Sequence, residues 1–549
     1  DDVLLDKVGY GASLDYKVAP AVNPLSGQSI QRRWDTINNK TQNTEDNSID
    51  FQIFNATTPK RASPKYYLYN GFTFATDTVL KKALGPYLFN RSNSVSAGVT
   101  LTIEPGTVMK FADSVLTIDG TLNAVGTTDK IIVFTSINDI DYGGDIRDEG
   151  NNSPVSLGQW SGIVFNQSGV NSNLENVVVR YAGGSTPKYM QAALKVDKTN
   201  IILKNSLIDN NINGGAYFYG SNSIIDSVQF TNNLKTTSSN YYGKGLYIDG
   251  GSNIEVKNCV FKNNYDALNL INSTAEDIHP IVKNNYFESN HNSISMSGSN
   301  IYPDFSGNSA KDNFCNAIIF SDTISKNLTI KNDLTYLISY AFTVPENIIL
   351  TIEPGTVIKF ADSMIKVDGT LNAVGTLAEP IVFTSADDRD YGVDVWPWND
   401  TPASTGQWLG IMFNPTSTNS NLENVVVRYA GGNLGGYVGG GISVQQSAIT
   451  LKSSIIQSNF LSGLRLVDSA SNVDSVQFLN NKLINNSNPV KGLYILGGSP
   501  TISNSYFAEN DYGIYMDVWN TIMPTPSLEN NSYGLNSIAD YYDASLPKE

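Results

Sequence analysis

The sequence predicts an all-β fold: a right-handed parallel β-helix solenoid in two tandem modules, preceded by a small immunoglobulin-like β-sandwich segment. Three observations carry the solenoid. A long stretch is duplicated, the texture is one of short strands, and an apolar–Asn pair recurs at the spacing of a solenoid coil. The duplication is the strongest. Leu101 to Ser114 returns as Leu350 to Ser363, Asp119 to Thr127 as Asp368 to Thr376, Asn173 to Gly184 as Asn421 to Gly432, and Lys244 to Ile248 as Lys491 to Ile495. The offset stays between 247 and 249, so a whole module is repeated with few insertions.

Within each module, runs such as Thr-Val-x-Lys-Phe and Ile-Val-Phe-Thr-Ser alternate or stay apolar for four to six residues between Gly, Asn or Asp. No segment keeps helical periodicity over ten residues. The smaller period appears as Ile208/Asn211, Phe230/Asn233, Phe261/Asn264 and Phe287/Asn290, then Ile456/Asn459, Phe478/Asn481 and Phe507/Asn510. Stacked coils about 4.8 Å apart turn one apolar position into a column. Asn at a corner tolerates left-handed backbone and can bond to the same Asn one coil on. These Asn residues are therefore expected to shape turns. Roughly eighteen coils would give a rod on the order of 90 Å.

A chain of 549 residues exceeds one compact core. Charged residues are 16% of the total and the net charge is −16, which argues against nucleic acid and anionic membrane surfaces and suits bound cations. No apolar run is long enough to span a membrane, so no membrane insertion is expected. With two cysteines, Cys259 and Cys315, this is no disulfide-stapled scaffold. They sit two coils apart at different corners, beyond disulfide reach, so both are expected to be unpaired and packed.

The segments around Thr351 to Phe360, Asp368 to Thr376, Pro380 to Ser385 and Gly406-Gln-Trp-Leu-Gly-Ile resemble the bacterial right-handed parallel β-helix repeat proteins, over roughly residues 73 to 538. The resemblance implies a secreted or surface-exposed protein, extracellular or at the cell surface. It says little of function, because this fold hosts lyases, hydrolases, adhesins and inert stalks. Val8 to Gly11, Gly27 to Arg33, Asn47 to Phe51 and Thr58-Pro59 resemble the C-terminal half of a lamin-tail domain, whose early strands would precede Asp1. Either the chain is trimmed there, which is the simpler expectation, or a neighbouring molecule supplies the missing strand. The expected domains are 1–60 (partial lamin-tail-like sandwich), 61–72 (linker), 73–320 (first module) and 321–549 (second module).

Each module carries an acidic loop at the same place, Asn138 to Gly150 and Asp387 to Asp394. Asp139, Asp141 and Asp145 correspond to Asp388, Asp390 and Asp394. Alternating carboxylates on a Gly-bearing loop suit one hard cation, so these six are candidate Ca2+ ligands. The competing reading is a solvated loop whose Asp residues cap turns. The second loop continues into Trp396-Pro-Trp398, a non-duplicated aromatic stretch where a ligand surface is first to be sought.

Catalysis has weak support. The histidines, His279 and His291, lie in no Gly-His-Gly motif of the polygalacturonase type and have no ligand cluster around them. A lyase could use Arg180-Tyr181 or Arg428-Tyr429, but these are duplicated with the scaffold and read as structural, as do Trp160 and Trp408. The expectation is an extracellular structural scaffold (a surface-layer, adhesin or filament subunit) that self-associates head-to-tail. The alternative is a protein that binds extracellular polysaccharide or cleaves it as a lyase.

Overall fold

The computed structural model describes residues 19–23, 25, 28–35, 40–41, 44, 46–54, 66–147, 153–184, 192–234, 243–320, 323–432, 439–481 and 489–544. From Tyr67 onward the chain winds through three strands per coil, here called A, B and C. In the first module, sheet A runs from Thr78–Leu80 to Asp304–Ser306 in nine strands and sheet B from Tyr67–Asn70 to Ser309–Lys311 in ten. Sheet C begins at Thr73–Phe74 and reaches Cys315–Phe320. Successive coils pair in parallel, so like side chains lie in files. On sheet A one file is Ile103, Ala124, Leu174, Leu203, Ile225, Val256, Val282 and Phe305. Each of the eight is at most 2% exposed. The β-helix expected from the sequence is therefore present.

Aromatic files add ring stacking. Phe230, Phe261 and Phe287 follow one another at 5.1 and 5.0 Å, and Phe478 lies 4.8 Å from Phe507. Offset stacks of this kind contribute about 0.5–1.5 kcal/mol each beyond burial.

The Asn pairs form the predicted ladders at the B–C corner. Nδ2 of Asn211, Asn233, Asn264 and Asn290 each donates to Oδ1 of the next rung, ending on Asn313, at 2.9–3.0 Å. In the second module the rungs are Asn459, Asn481, Asn510 and Asn536. The left-handed backbone lies one residue earlier than expected. Asn210, Asn232, Asn263, Ser289 and Asn480 have φ between 51° and 56°. One residue turns the chain, which leaves the ladder Asn free to aim inward. The second residue of the C strand that follows, Lys491–Leu496, has no room for a Cβ. One added at Gly492 would lie 2.8 Å from the Gly513 carbonyl oxygen.

The second module is not a simple continuation. Its sheets A and C, from Leu328–Ile330 and from Phe342–Val344, are new eight-stranded stacks. Its sheet B grows on sheet C of the first module, with Ile318, Ile319 and Phe320 opposite Tyr336, Leu337 and Ile338. Val108–Ala112 and its copy Val357–Phe360 thus occupy sheets with different continuations, and the repeat resumes shifted by one face. One eighteen-strand ladder crosses the junction.

The β-helix begins inside the segment assigned to the linker, because Tyr67–Asn70 pairs with Tyr87–Asn90. Upstream, the strands are antiparallel: Ser29–Arg32 pairs with Phe51–Phe54, and Trp34–Asp35 with Lys40–Thr41. Asp46 caps the turn Asn47–Asp50, and buried Asp50 accepts from Thr44 N at 2.9 Å. Of the quoted lamin-tail motifs, Val8–Gly11 and Thr58–Pro59 lie outside the described residues.

Asn264 donates to Phe230 O and Asn290 Oδ1 and accepts from Asn233. Asn264→Ala strands these buried groups, so chemical denaturation should show a loss of about 2–4 kcal/mol. A change below about 0.5 kcal/mol would mean that the ladder contributes nothing.

Candidate functional site

The acidic loops are built around buried lysines. In Val108–Ala112, Met109 and Phe111 point into the core, so Lys110 points outward. It is nonetheless 0% exposed, because the loop after Ser136 folds over it. Its ammonium donates to the carbonyl oxygens of Asp139, at 2.6 Å, and Gly144. Lys359 repeats this with the carbonyls of Asp388 and Val393, the latter at 2.6 Å. Burial pulls both ammonium groups down to a pKa of about 8.

All six predicted ligand carboxylates sit at these loops, each against a cation of the chain. Asp139 is 1% exposed, accepts from Thr135 Oγ1 and lies 3.1 Å from Arg180 Nε. Asp141 takes Arg180 Nη2 at 2.7 Å, and Asp145 takes Arg147 Nε at 2.9 Å. In the second module Arg428 spans Asp388 at 3.3 Å and Asp390 at 2.7 Å, while Arg389 lies 3.3 Å from Asp394. Each bridging guanidinium lies over two rings: Arg180 lies 4.5 Å from Tyr181 and 5.3 Å from Tyr142, and Arg428 lies 4.4 and 5.5 Å from Tyr429 and Tyr391. Among the described residues, no group of three or more Asp, Glu, His or Cys gathers as a metal cage would. The loop carbonyls instead gather on a lysine and the carboxylates pair with two arginines per loop, which a calcium ion would have to displace.

Arg180 and Arg428, the candidate lyase bases, are thereby braces. Trp160 and Trp408 hold the carbonyls of these arginines through Nε1 at 2.9 and 2.8 Å, and stack on Phe111 and Phe360 at 4.0 and 4.1 Å. Both tryptophans are fully buried, as a scaffold role requires. Cys259 and Cys315 are buried free thiols, pushed up to about 12 and about 11 by burial. Such thiols hold almost no thiolate at neutral pH and are unreactive.

The aromatic continuation of the second loop reaches back across the junction. Asn316 N donates to Val395 O at 3.1 Å, and Trp398 Nε1 to Phe314 O at 3.0 Å. Cys315, Ala317, Leu337, Ala386 and Val395 pack into a second small core on the outside of the ladder. The Trp398 ring ends a four-ring stack through Phe314, His291 and Tyr265, with centroids 4.6, 4.4 and 4.2 Å apart. The stretch expected to face a ligand clasps one module to the other. Sequence reading missed both Lys110 and the clasp. The available signal was a lone Lys kept in an otherwise apolar strand in both modules, each followed by an acidic loop.

Lys110→Met or Lys359→Met leaves two carbonyls unpaired, and each should cost about 2–4 kcal/mol in denaturation. The folded pKa of about 8 lies below the unfolded value of 10.5, so in that window the unfolded chain binds more protons. The stability difference between wild type and either variant should therefore grow from pH 8 to 9.5. A flat difference would contradict the buried ammonium. Because protein cations fill the loops, EDTA should move the melting midpoint by less than about 1 °C. Trp398→Ala should split one calorimetric transition into two, one per module, and an unchanged single transition would remove the clasp.

A family model described as "right handed beta helix region" matches residues 147–335, about a third of the chain. The chain is also similar to "Protein bark beetle" of Drosophila melanogaster, 33% identical over 96 residues, which is 17% of this chain. The chain spans 3% of the length of that curated relative. With the parallel ladders, the family match supports a right-handed β-helix repeat protein.

Proposed function

We propose that the protein is an extracellular structural scaffold, a rod of β-helical modules that associates end to end as a surface-layer, adhesin or filament subunit. The junction between modules supports this reading most directly. Two modules share one ladder across Ile318–Phe320 and Tyr336–Ile338 and are clasped by a loop of the second module. The first module shows the same entry geometry: Tyr67–Asn70 lies on Tyr87–Asn90 as Cys315–Phe320 lies on Tyr336–Ile338. In both modules an earlier strand backs the strand at Tyr87–Asn90 or its counterpart Tyr336–Ile338, supplied in one case by the chain's own start of the solenoid and in the other by the preceding module. Heterologous contacts between unlike ends build filaments, not closed dimers. The lamin-tail-like segment, on this reading, is an appended domain.

The site geometry favours a scaffold over an enzyme. The arginines and buried carboxylates are consumed in braces, and they occur twice, as a scaffold repeat does and a catalytic centre rarely does.

Sedimentation velocity over about a hundredfold range of concentration, with negative-stain microscopy, tests the proposal. Rods lengthening by whole molecules are expected. A monodisperse single rod throughout would overturn end-to-end association, and loss of viscosity of an anionic polysaccharide on incubation would replace the scaffold with a lyase.

A further inference from the structure

The outward face of sheet C differs between the two modules in a way the shared scaffold does not require. In the first module its central file reads Lys195, Tyr217, Tyr247, Asn269 and Ser295. The matching file in the second reads Ser443, Arg465, Tyr494, Tyr515 and Tyr542. The inward neighbours are kept, Leu246 and Ile248 returning as Leu493 and Ile495. Core packing therefore holds the inside constant while the outside has changed.

The change is one of charge and of rings. Three carboxylates of the first face, Asp197, Asp249 and Asp266, are replaced by Gln445, Leu496 and Tyr512. On the first face Lys195 lies 3.4 Å from Asp197. On the second, Arg465 stands in the place of Tyr217, is half-buried, and makes no ion pair or hydrogen bond among the described residues, its Nε being buried and unpartnered. Lys491 lies over Tyr494 and Tyr515, at 5.3 and 5.2 Å. Two carboxylates flank this face without pairing with Arg465: Asp511 accepts from Val490 N and Ser537 Oγ and acts on Lys491, and Asp517 accepts from Val518 N and acts on Tyr494 and Tyr515. A desolvated arginine without a counter-ion is costly, and it is conspicuous in a chain of net charge −16.

Around it four tyrosines form a half-exposed platform. Tyr515 lies 5.4 Å from Tyr494, 5.1 Å from Tyr542 and 5.1 Å from Tyr512. We propose that this face, centred on Arg465, Lys491 and Tyr515, binds an acidic polysaccharide, its sugar rings lying on the tyrosines and a pendant carboxylate meeting the Arg465 guanidinium. An arginine offers a carboxylate two parallel N–H donors, and phenols offer both an apolar face and a hydroxyl. An acidic peptide fits less well. The sheet amides beneath are already used between coils, so no backbone ladder is left on this face to extend. The site is independent of end-to-end association, since it lies on the side of the rod.

Affinity electrophoresis of the full chain in gels carrying polygalacturonate, dextran or poly-glutamate tests this. Polygalacturonate should retard the protein, dextran should not, and poly-glutamate should do so only weakly. R465Q and Y515A should each weaken polygalacturonate binding at least about tenfold, whereas N269A, the first-module counterpart of Y515A, should not. Because Arg465 has no partner to lose, R465Q should melt no lower than wild type. The assignment is overturned by absent retardation in polygalacturonate, by retardation that R465Q leaves unchanged, by equal retardation in poly-glutamate, or by a lower melting point of R465Q.

Discussion

Each coil must place its backbone amides on the coil before it, in register. That one requirement dictates what a side chain can be. A position pointing inward is covered above and below by its own equivalents, so an apolar residue there is buried whatever its neighbours in sequence. A polar residue there survives only if its hydrogen bonds run along the rod. Asn does this, because its amide both donates and accepts. The rung from Asn211 to Asn313 closes every such group against the next. A buried amide left open would cost roughly 1–3 kcal/mol, so one faulty rung is felt by both neighbours.

The same reasoning extends outside the core. Lys110 and Lys359 point away from the interior and are buried all the same, because a long loop uses them as its internal counter-charge. An ammonium gathers loop carbonyls much as a metal ion would, and an arginine bridges the carboxylates nearby. The loop then has a fixed shape, and in the second module that fixed shape lets Trp398 reach Phe314. Local electrostatics inside one coil thereby settle how two modules are joined.

Much of this was legible in the sequence and some was not, for physical reasons. Files of equivalent residues leave a period, so the Phe–Asn pairs and the duplication disclosed the fold. The left-handed turn was assigned to the Asn of the ladder, whereas Asn210, Asn232 and Ser289, one place earlier, make it. A turn residue needs no periodic identity, so it leaves a fainter trace. In the acidic loops Asp139 and Asp141 meet Arg180, and Asp388 and Asp390 meet Arg428, while Asp145 and Asp394 go to Arg147 and Arg389. Their cations were overlooked because a single Lys in a strand reads as an exposed polar position until a covering loop is known. The shift of one face at the junction left no trace, since no residue pattern records which sheet a strand will continue. Tyr67 to Asn70 was assigned to a linker for a related reason: a first strand has a neighbour on one side alone, and little repetition marks it.

The central claim is that one hydrogen-bonded ladder crosses the junction between the modules. Amide hydrogen exchange read by mass spectrometry addresses it directly. The amides of Ile318–Phe320 and Tyr336–Ile338 should exchange as slowly as those of Leu246–Ile248 within the first module. Fast exchange at the junction, between two slowly exchanging modules, would contradict the account.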